Sequence, residues 1–195
     1  MSDDEKASAR PVEWWWIRHG PTHAARMVGH TDRPADLSDH AALARLRAVL
    51  PTGAAVLSSD LSRARSTARA LGLTPVTDPR LRELHYGAWE DLAFDDPAVD
   101  PALARAFWDT PGETRPPHGE SWNELCDRVA AVMREHTAGP VIAVAHMGVI
   151  LAALSIATRM PAKSALSFRI EPLSLSRMTW FGGADWSVDR VNHRP

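Results

Sequence analysis

Cysteine is the scarcest reactive residue in this sequence. Cys126 stands alone among 195 residues, so no intramolecular disulfide can form and no thiolate cluster exists to hold zinc. An excess of one charge is also missing. The net charge is −2, whereas a chain built to bind bulk nucleic acid carries a clear basic surplus, so no nucleic-acid partner is expected. No stretch approaches the roughly 18 consecutive apolar residues of a membrane span, so no membrane partner is expected either. The opening MSDDEKASARP lacks the apolar core of a secretion signal. Residues 1–11 read as a disordered leader, and the default location is the cytoplasm. Lysine is nearly absent: only Lys6 and Lys163 interrupt the arginines among 22 basic residues. That bias reads mainly as genomic composition, although the arginine fork also suits bidentate phosphate recognition. No internal repeat or linker breaks residues 12–195, which read as one catalytic-sized domain. Oligomeric state leaves no mark.

What is present alternates between strand and helix. Val12 to Ile17 is short, aromatic and β-branched, and it stops where Gly20 and Pro21 break it. Its three consecutive tryptophans fit a strand buried on both faces better than a binding platform. Ser38 is placed to cap a helix whose apolar stripe is Ala42, Leu43, Leu46, Val49 and Leu50. Residues 54–58 form a second strand, Asp60 is placed to cap a helix reaching about Leu71, and Pro75–Thr77 suits a third strand. Residues 78–119 are irregular and rich in proline, an excursion with short helices. Ser121 and Glu124 make a capping box opening a helix with Trp122, Leu125, Cys126, Val129, Val132 and Met133 on one face. Val141–Ala145 is a buried strand, a helix follows through Ile150 and Leu154, and the tail from 165 to 191 alternates as two or three strands. The predicted fold is α/β, a three-layer sandwich with a mostly parallel sheet flanked by helices.

In such sheets, sites gather beyond the carboxyl ends of the strands. Arg18-His19, Ser58-Ser59 with the following Arg63, and His146 each come just after a predicted strand, so three distant stretches converge on one edge. Arg-His-Gly alone is weak, since about one shuffled chain in twenty of this composition would contain it. Singly, His146 reads as structural, Arg63 as a solvated helix residue and Glu83 as a surface carboxylate. The joint pattern reads otherwise. With Arg18-His19-Gly20, the segments SSDLSRARSTA (58–68), LRELHYGAW (81–89) and VAHMGVI (144–150) resemble the histidine phosphatase superfamily, which includes cofactor-dependent phosphoglycerate mutase. The likeness runs from about Trp14 to at least Ile150.

That resemblance implies a phosphoglycerate mutase-like fold and a role for each matching residue. His19 would be the nucleophile, Arg18 and Arg63 the phosphate-binding pair, His146 a donor to the same phosphoryl group, and Glu83 the general acid and base. Three positions depart from the pattern. Many members continue the first motif with Glu-Thr and an Asn soon after, where this chain has Pro21-Thr22 and Ala25. The phosphate contact is then expected from Thr22 or a backbone amide. Met147 replaces a common Gly or Ser, leaving its backbone N–H for the phosphate while its side chain narrows the pocket.

Two arginines and a donor histidine need no metal or other cofactor beside one phosphate. Asp32, Asp36 and Asp60 read as caps and loop hydrogen bonds before they read as magnesium ligands. A metal site from His19, His23 and His30 has no trustworthy ligand spacing. His30 and Tyr86 are expected at the surface more than in the cleft. Specificity is expected from residues 90–119 and their surroundings, including Trp89, Phe107, Trp108 and His118. The leading function is a histidine-type acid phosphatase, hydrolysing a small phosphorylated substrate through phosphohistidine. A mutase is the alternative, since mutases share the motifs but are generally longer. An inactive phospho-ligand-binding protein is least favoured, because all five motif residues are intact.

Overall fold

A computed structural model describes residues 11–195, so the expectation of a disordered leader falls almost wholly outside the described residues. Strands β1 (Val12–Arg18), β2 (Ala55–Ser58), β3 (Val76–Thr77), β4 (Gly139–Ala145), β5 (Leu175–Gly182) and β6 (Asp185–His193) form one sheet in the order β3-β2-β4-β1-β5-β6. The first four in that order are parallel, and β5 and β6 add an antiparallel edge. The sheet is flanked by α1 (His40–Ala48), α2 (Ser62–Ala70), α3 (Pro101–Asp109), α4 (Trp122–Glu135), α5 (Met147–Thr158) and the single turn α6 (Ala162–Ala165).

Strand alternation sorts the core into two layers. Val12, Trp14 and Trp16 of β1 and Val141, Ala143 and Ala145 of β4 pack with the apolar faces of α4 and α5. Ile17, Ile142 and Val144 point the other way, onto Leu43 and Leu46 of α1 and Ala64 and Ala68 of α2. The three tryptophans therefore belong to a strand covered on both faces, as expected. Trp14 and Trp16 stack with ring centroids 5.0 Å apart, fully buried. Truncating either to alanine would cost about 3–5 kcal/mol in lost transfer energy and cavity.

Three local expectations need correction. Helix α1 is capped by Asp39, whose carboxylate accepts from Ala42 N (2.9 Å), and not by Ser38. The helix also stops before Val49, which leaves the buried stripe and is largely exposed. Asp60 does not cap α2. It pairs with Arg82 (2.6 Å), and Asp32 reaches from a distant loop to accept from Ser62 N (2.8 Å) and its hydroxyl (2.6 Å). Helix α4 closes at Glu135, and Gly139-Pro140 begins β4. The Ser121–Glu124 capping box is present in both directions. No helix among the described residues is long and apolar enough to cross a membrane.

Candidate active site

Strands β1 and β4 run side by side with Arg18 opposite Ala145. The next residues, His19 and His146, therefore leave the sheet together at its carboxyl edge, their ring centroids 5.0 Å apart. Backbone bonds fix this exit, since His19 N donates to Ala145 O (3.0 Å) and Leu173 N donates to Arg18 O (3.0 Å). Gly20 N then donates to Thr67 Oγ1 (3.0 Å), and that hydroxyl donates to Arg63 O (2.7 Å), tying the turn after β1 to helix α2.

The two imidazoles are held in opposite tautomers. His19 Nδ1 lies 2.6 Å from Gly20 O. A carbonyl only accepts, so Nδ1 carries the proton and Nε2 keeps its lone pair. His146 Nδ1 instead accepts from Arg63 Nε (3.2 Å). A guanidinium only donates, so the His146 proton sits on Nε2, a buried atom with no hydrogen-bond partner. One ring thus offers a nucleophilic lone pair and its neighbour a free donor. Burial, reinforced by the Arg63 and Arg18 cations, holds the His19 pKa down at about 3. Burial, with His19 and Arg63 beside it, holds His146 well below the ordinary histidine value. Both rings are neutral near pH 7.

Arg63 is almost wholly buried, and its Nη1 and Nη2 donate to Thr31 O (2.8 Å) and Gly29 O (2.6 Å). Counting the bond to His146, three of its five N–H donors are engaged and two remain for an anion. Arg18 donates Nη1 to Ile170 O, while its buried Nε has no partner. Burial lowers the pKa of each guanidinium, opposed first by the Glu83 carboxylate, and both stay charged.

Glu83 is buried, and Oε1 accepts from Leu84 N (2.9 Å) and Gly148 N (3.0 Å), with Oε2 at 3.2 Å from Gly148 N. Gly148 lies in the first turn of α5, so the Glu83 carboxyl group sits at the N-terminus of that helix. A Cβ at Gly148 would meet Glu83 Oε1 at 2.4 Å, so only glycine allows this approach. The segment carrying Glu83 is braced from behind. Arg128 donates to Glu83 O (3.0 Å) and Arg80 O (2.5 Å), and pairs with Glu120 (2.6 Å).

Arg18, His19, Thr22, Arg63, Glu83 and Met147 line one cavity of about 200 Å³, with Arg26, Met27, Tyr86 and Phe94 also on its wall. His146 lies just behind that wall, against His19 and Arg63. Every residue picked from the sequence motifs is thus brought to one place. Larger surface hollows beside Pro101 and Arg105 (about 590 Å³) and beside Arg159 and Trp186 (about 810 Å³) contain none of these groups.

Other expectations fare differently. Tyr86 is buried on the cavity wall and not at the surface, its ring against Trp108 (centroids 6.2 Å) and its N–H donating to Glu90 Oε1 (3.1 Å). His30 is half-buried against His85, centroids 4.3 Å apart, and is not on the wall. Trp89 and Phe107 are core residues, and His118 is exposed. From residues 90–119 only Phe94 lines the cavity, backed by Trp108. Asp32, Asp36 and Asp60 make caps and pairs, with Asp36 bound to His23 (2.8 Å) and Ser38 N (2.9 Å). Among the described residues no group of three or more His, Cys, Asp or Glu could hold a metal ion.

Sequence reasoning missed Glu90, whose carboxylate is a hub. It accepts from Gly29 N (3.1 Å), His30 N (2.7 Å), Thr31 N (3.0 Å), the Thr31 hydroxyl (2.8 Å) and Tyr86 N. The loop it gathers presents the two carbonyls that grip Arg63. The available signal was weak: a Glu after LRELHYGAW, outside any periodic element.

Comparison with known proteins agrees with this geometry. The family model described as histidine phosphatase superfamily (branch 1) matches residues 14–194. A "Probable phosphoglycerate mutase GpmB" from Serratia proteamaculans is 34% identical over 183 residues, covering 86% of this chain and 84% of that one. A crystal structure of phosphoglycerate mutase from Thermus thermophilus is similar with TM-score 0.71 and 31% identity, covering 90% of this chain and 96% of the other. A protein from Escherichia coli provisionally named an alpha-ribazole-5'-P phosphatase is similar with TM-score 0.80 and 25% identity, covering 94% and 97%.

Proposed function

This chain belongs to the histidine phosphatase superfamily (branch 1), and from that premise we propose that it hydrolyses a small phosphomonoester through a phosphohistidine on His19. The observation that carries this reading is the pair of opposed tautomers, a lone pair on His19 Nε2 beside a donor on His146 Nε2, flanked by two arginines.

In the first half-reaction His19 Nε2 attacks phosphorus in line, forming a P–N bond as the P–O bond to the leaving group breaks. Arg18, the two free N–H groups of Arg63 and His146 Nε2–H stabilise the charge on the equatorial oxygens. The Thr22 hydroxyl and the Met147 N–H, on residues of the same cavity wall, would add to that cradle. Glu83 gives its proton to the leaving oxygen. Oε2, which has the weaker backbone contact, is the oxygen for this transfer. In the second half-reaction Glu83 takes a proton from water, the water oxygen attacks phosphorus, and the P–N bond breaks to release inorganic phosphate. Positive charge comes from the arginines, so the proposed reaction needs no metal ion.

A second reading has support in the relatives named phosphoglycerate mutases: the phosphoryl group would return to another hydroxyl of the same molecule. Hydrolysis is favoured because the cavity opens at exposed Arg26 and Phe94, giving water a path to His19. The test is phosphate release from p-nitrophenyl phosphate in EDTA by the wild type and His19→Ala. Release that survives EDTA and disappears in the variant is expected. Isomerisation of 3-phosphoglycerate without net phosphate release would favour the mutase, and phosphate binding without turnover a binding protein.

A further inference from the structure

Beyond the groups that would hold the phosphoryl, and apart from Arg26, the wall of the cavity is formed by Ala24, Met27, Val28, Tyr86, Phe94 and the Met147 side chain. Phe94 is unusual among them. Its relative exposure is 61%, although its ring is backed rather than free. The Phe94 centroid lies 6.0 Å from that of Trp108, which lies 6.2 Å from Tyr86 and 4.8 Å from buried Phe107. A chain of aromatic contacts thus runs from the core to the cavity rim and ends in an uncovered phenyl ring. Exposed apolar surface that is held in place beside a reactive centre is a binding feature.

The polar side of the same wall is thin. Arg26 is the one cation there outside the phosphate pair. It is exposed and donates Nη1 to the main-chain Asp91 O (2.8 Å); its remaining donors lie in water, where an ion pair with a substrate anion contributes little. Thr22 and Tyr86 are the neutral hydroxyls, and burial keeps the Tyr86 phenol protonated. A substrate with a second anionic group, or with a ring of hydroxyls, would find few partners. With about 200 Å³ shared between phosphoryl group and leaving group, the far part of the substrate must lie over the rim.

Resting on the proposed phosphomonoesterase reading, we infer that the substrate carries an uncharged, ring-bearing leaving group that packs on Phe94, and not a carboxylate or second phosphate. The ring gains offset or edge contact with Phe94 while its connecting atoms pass Met147 and Tyr86.

The test separates binding from turnover by calorimetry with non-hydrolysable phosphonates: 2-phenylethylphosphonate, ethylphosphonate and 3-phosphonopropionate. The phenylethyl ligand should bind about tenfold more tightly than the ethyl one, the share expected for partial burial of one ring. The carboxylate-bearing ligand should gain nothing over ethyl. In Phe94→Ala the phenylethyl-to-ethyl ratio should fall to near one, with Phe94→Leu between. Equal binding of the two ligands by the wild type overturns the inference, as does preference for 3-phosphonopropionate. A Phe94→Ala variant that weakens both ligands alike and keeps their ratio also overturns it. Hydrolysis of 2-phenylethyl phosphate, followed in parallel, reads the reaction separately. If phosphonates discriminate as expected while no ester is hydrolysed, the ligand class stands and the phosphatase reading fails.

Discussion

Two regions build the site in different ways. His19 and His146 extend from adjacent parallel strands, and backbone hydrogen bonds set their separation. Glu83 belongs to the excursion between β3 and α4, where side chains do the holding: Arg128 on the Glu83 carbonyl, Glu120 on Arg128, Glu90 on Tyr86 N, and the Glu83 carboxylate itself on Gly148 N. A sheet edge averages out the loss of one side chain. A brace of four or five polar contacts does not, because each lost partner leaves another buried group unpaired. The proposed nucleophile is thus placed robustly and the proposed acid precariously.

The largest test of that contrast is Glu83→Gln, which keeps the shape and removes the proton. It should lower kcat by about 10²–10⁴-fold for alkyl esters and far less for p-nitrophenyl phosphate, whose leaving group needs no proton. Equal losses on both would remove Glu83 from the acid role. Gly148→Ala comes next. Its methyl would stand 2.4 Å from Glu83 Oε1, and displacement by about 1 Å should cost about 10²-fold in kcat with folding intact. A variant of normal activity would show that the carboxylate is not held where it acts.

Glu90→Gln should be smaller in activity and visible in stability. An amide cannot accept from every donor that Glu90 now satisfies, and at least one backbone N–H is orphaned. The expected cost is about 2 kcal/mol, read as a lower urea midpoint with unchanged slope. Turnover should fall severalfold as the carbonyls that grip Arg63 loosen. Loss of stability with no change in kcat would confine Glu90 to folding.

The last test concerns the sheet-held pair. His19 is held at about 3, against about 6.5 in an unfolded chain. Between those values the unfolded state binds a proton that the native state does not, so stability falls as pH drops below about 6.5. His19 alone approaches about 1.4 kcal/mol per pH unit in that window, and His146 acts in the same direction. Urea midpoints should fall between about pH 7 and pH 5, with a shallower slope in His19→Gln. A flat wild-type profile would mean that these rings are not buried neutral.

The same contrast explains what the sequence made legible. β1, β4 and α4 carry strong periodic or capping signals, so His19 and His146 were found at the ends of elements that could be drawn in advance. Glu83, Arg63 and Arg18 came from the resemblance that the motifs carry. Glu90, Gly148 and Phe94 were missed for a physical reason. A carboxylate that gathers backbone amides from 60 residues away, a glycine required by the approach of a distant oxygen, and an aromatic ring at a rim have no local pattern. Tyr86 was misplaced on the same ground: a tyrosine in an irregular stretch has no periodic face, and its ring packs on Trp108, 22 positions away. The cap of α2 shows it again, since the residue that supplies it, Asp32, is 30 positions from Ser62.

The most direct measurement is rapid quench with a radiolabelled phosphomonoester, followed by digestion and mapping of the label. A phosphoryl group on His19, acid-labile and base-stable, forming and decaying at least as fast as steady-state turnover, is the predicted result. Undiminished turnover with no labelled His19, or label on any other residue, would contradict the phosphohistidine route.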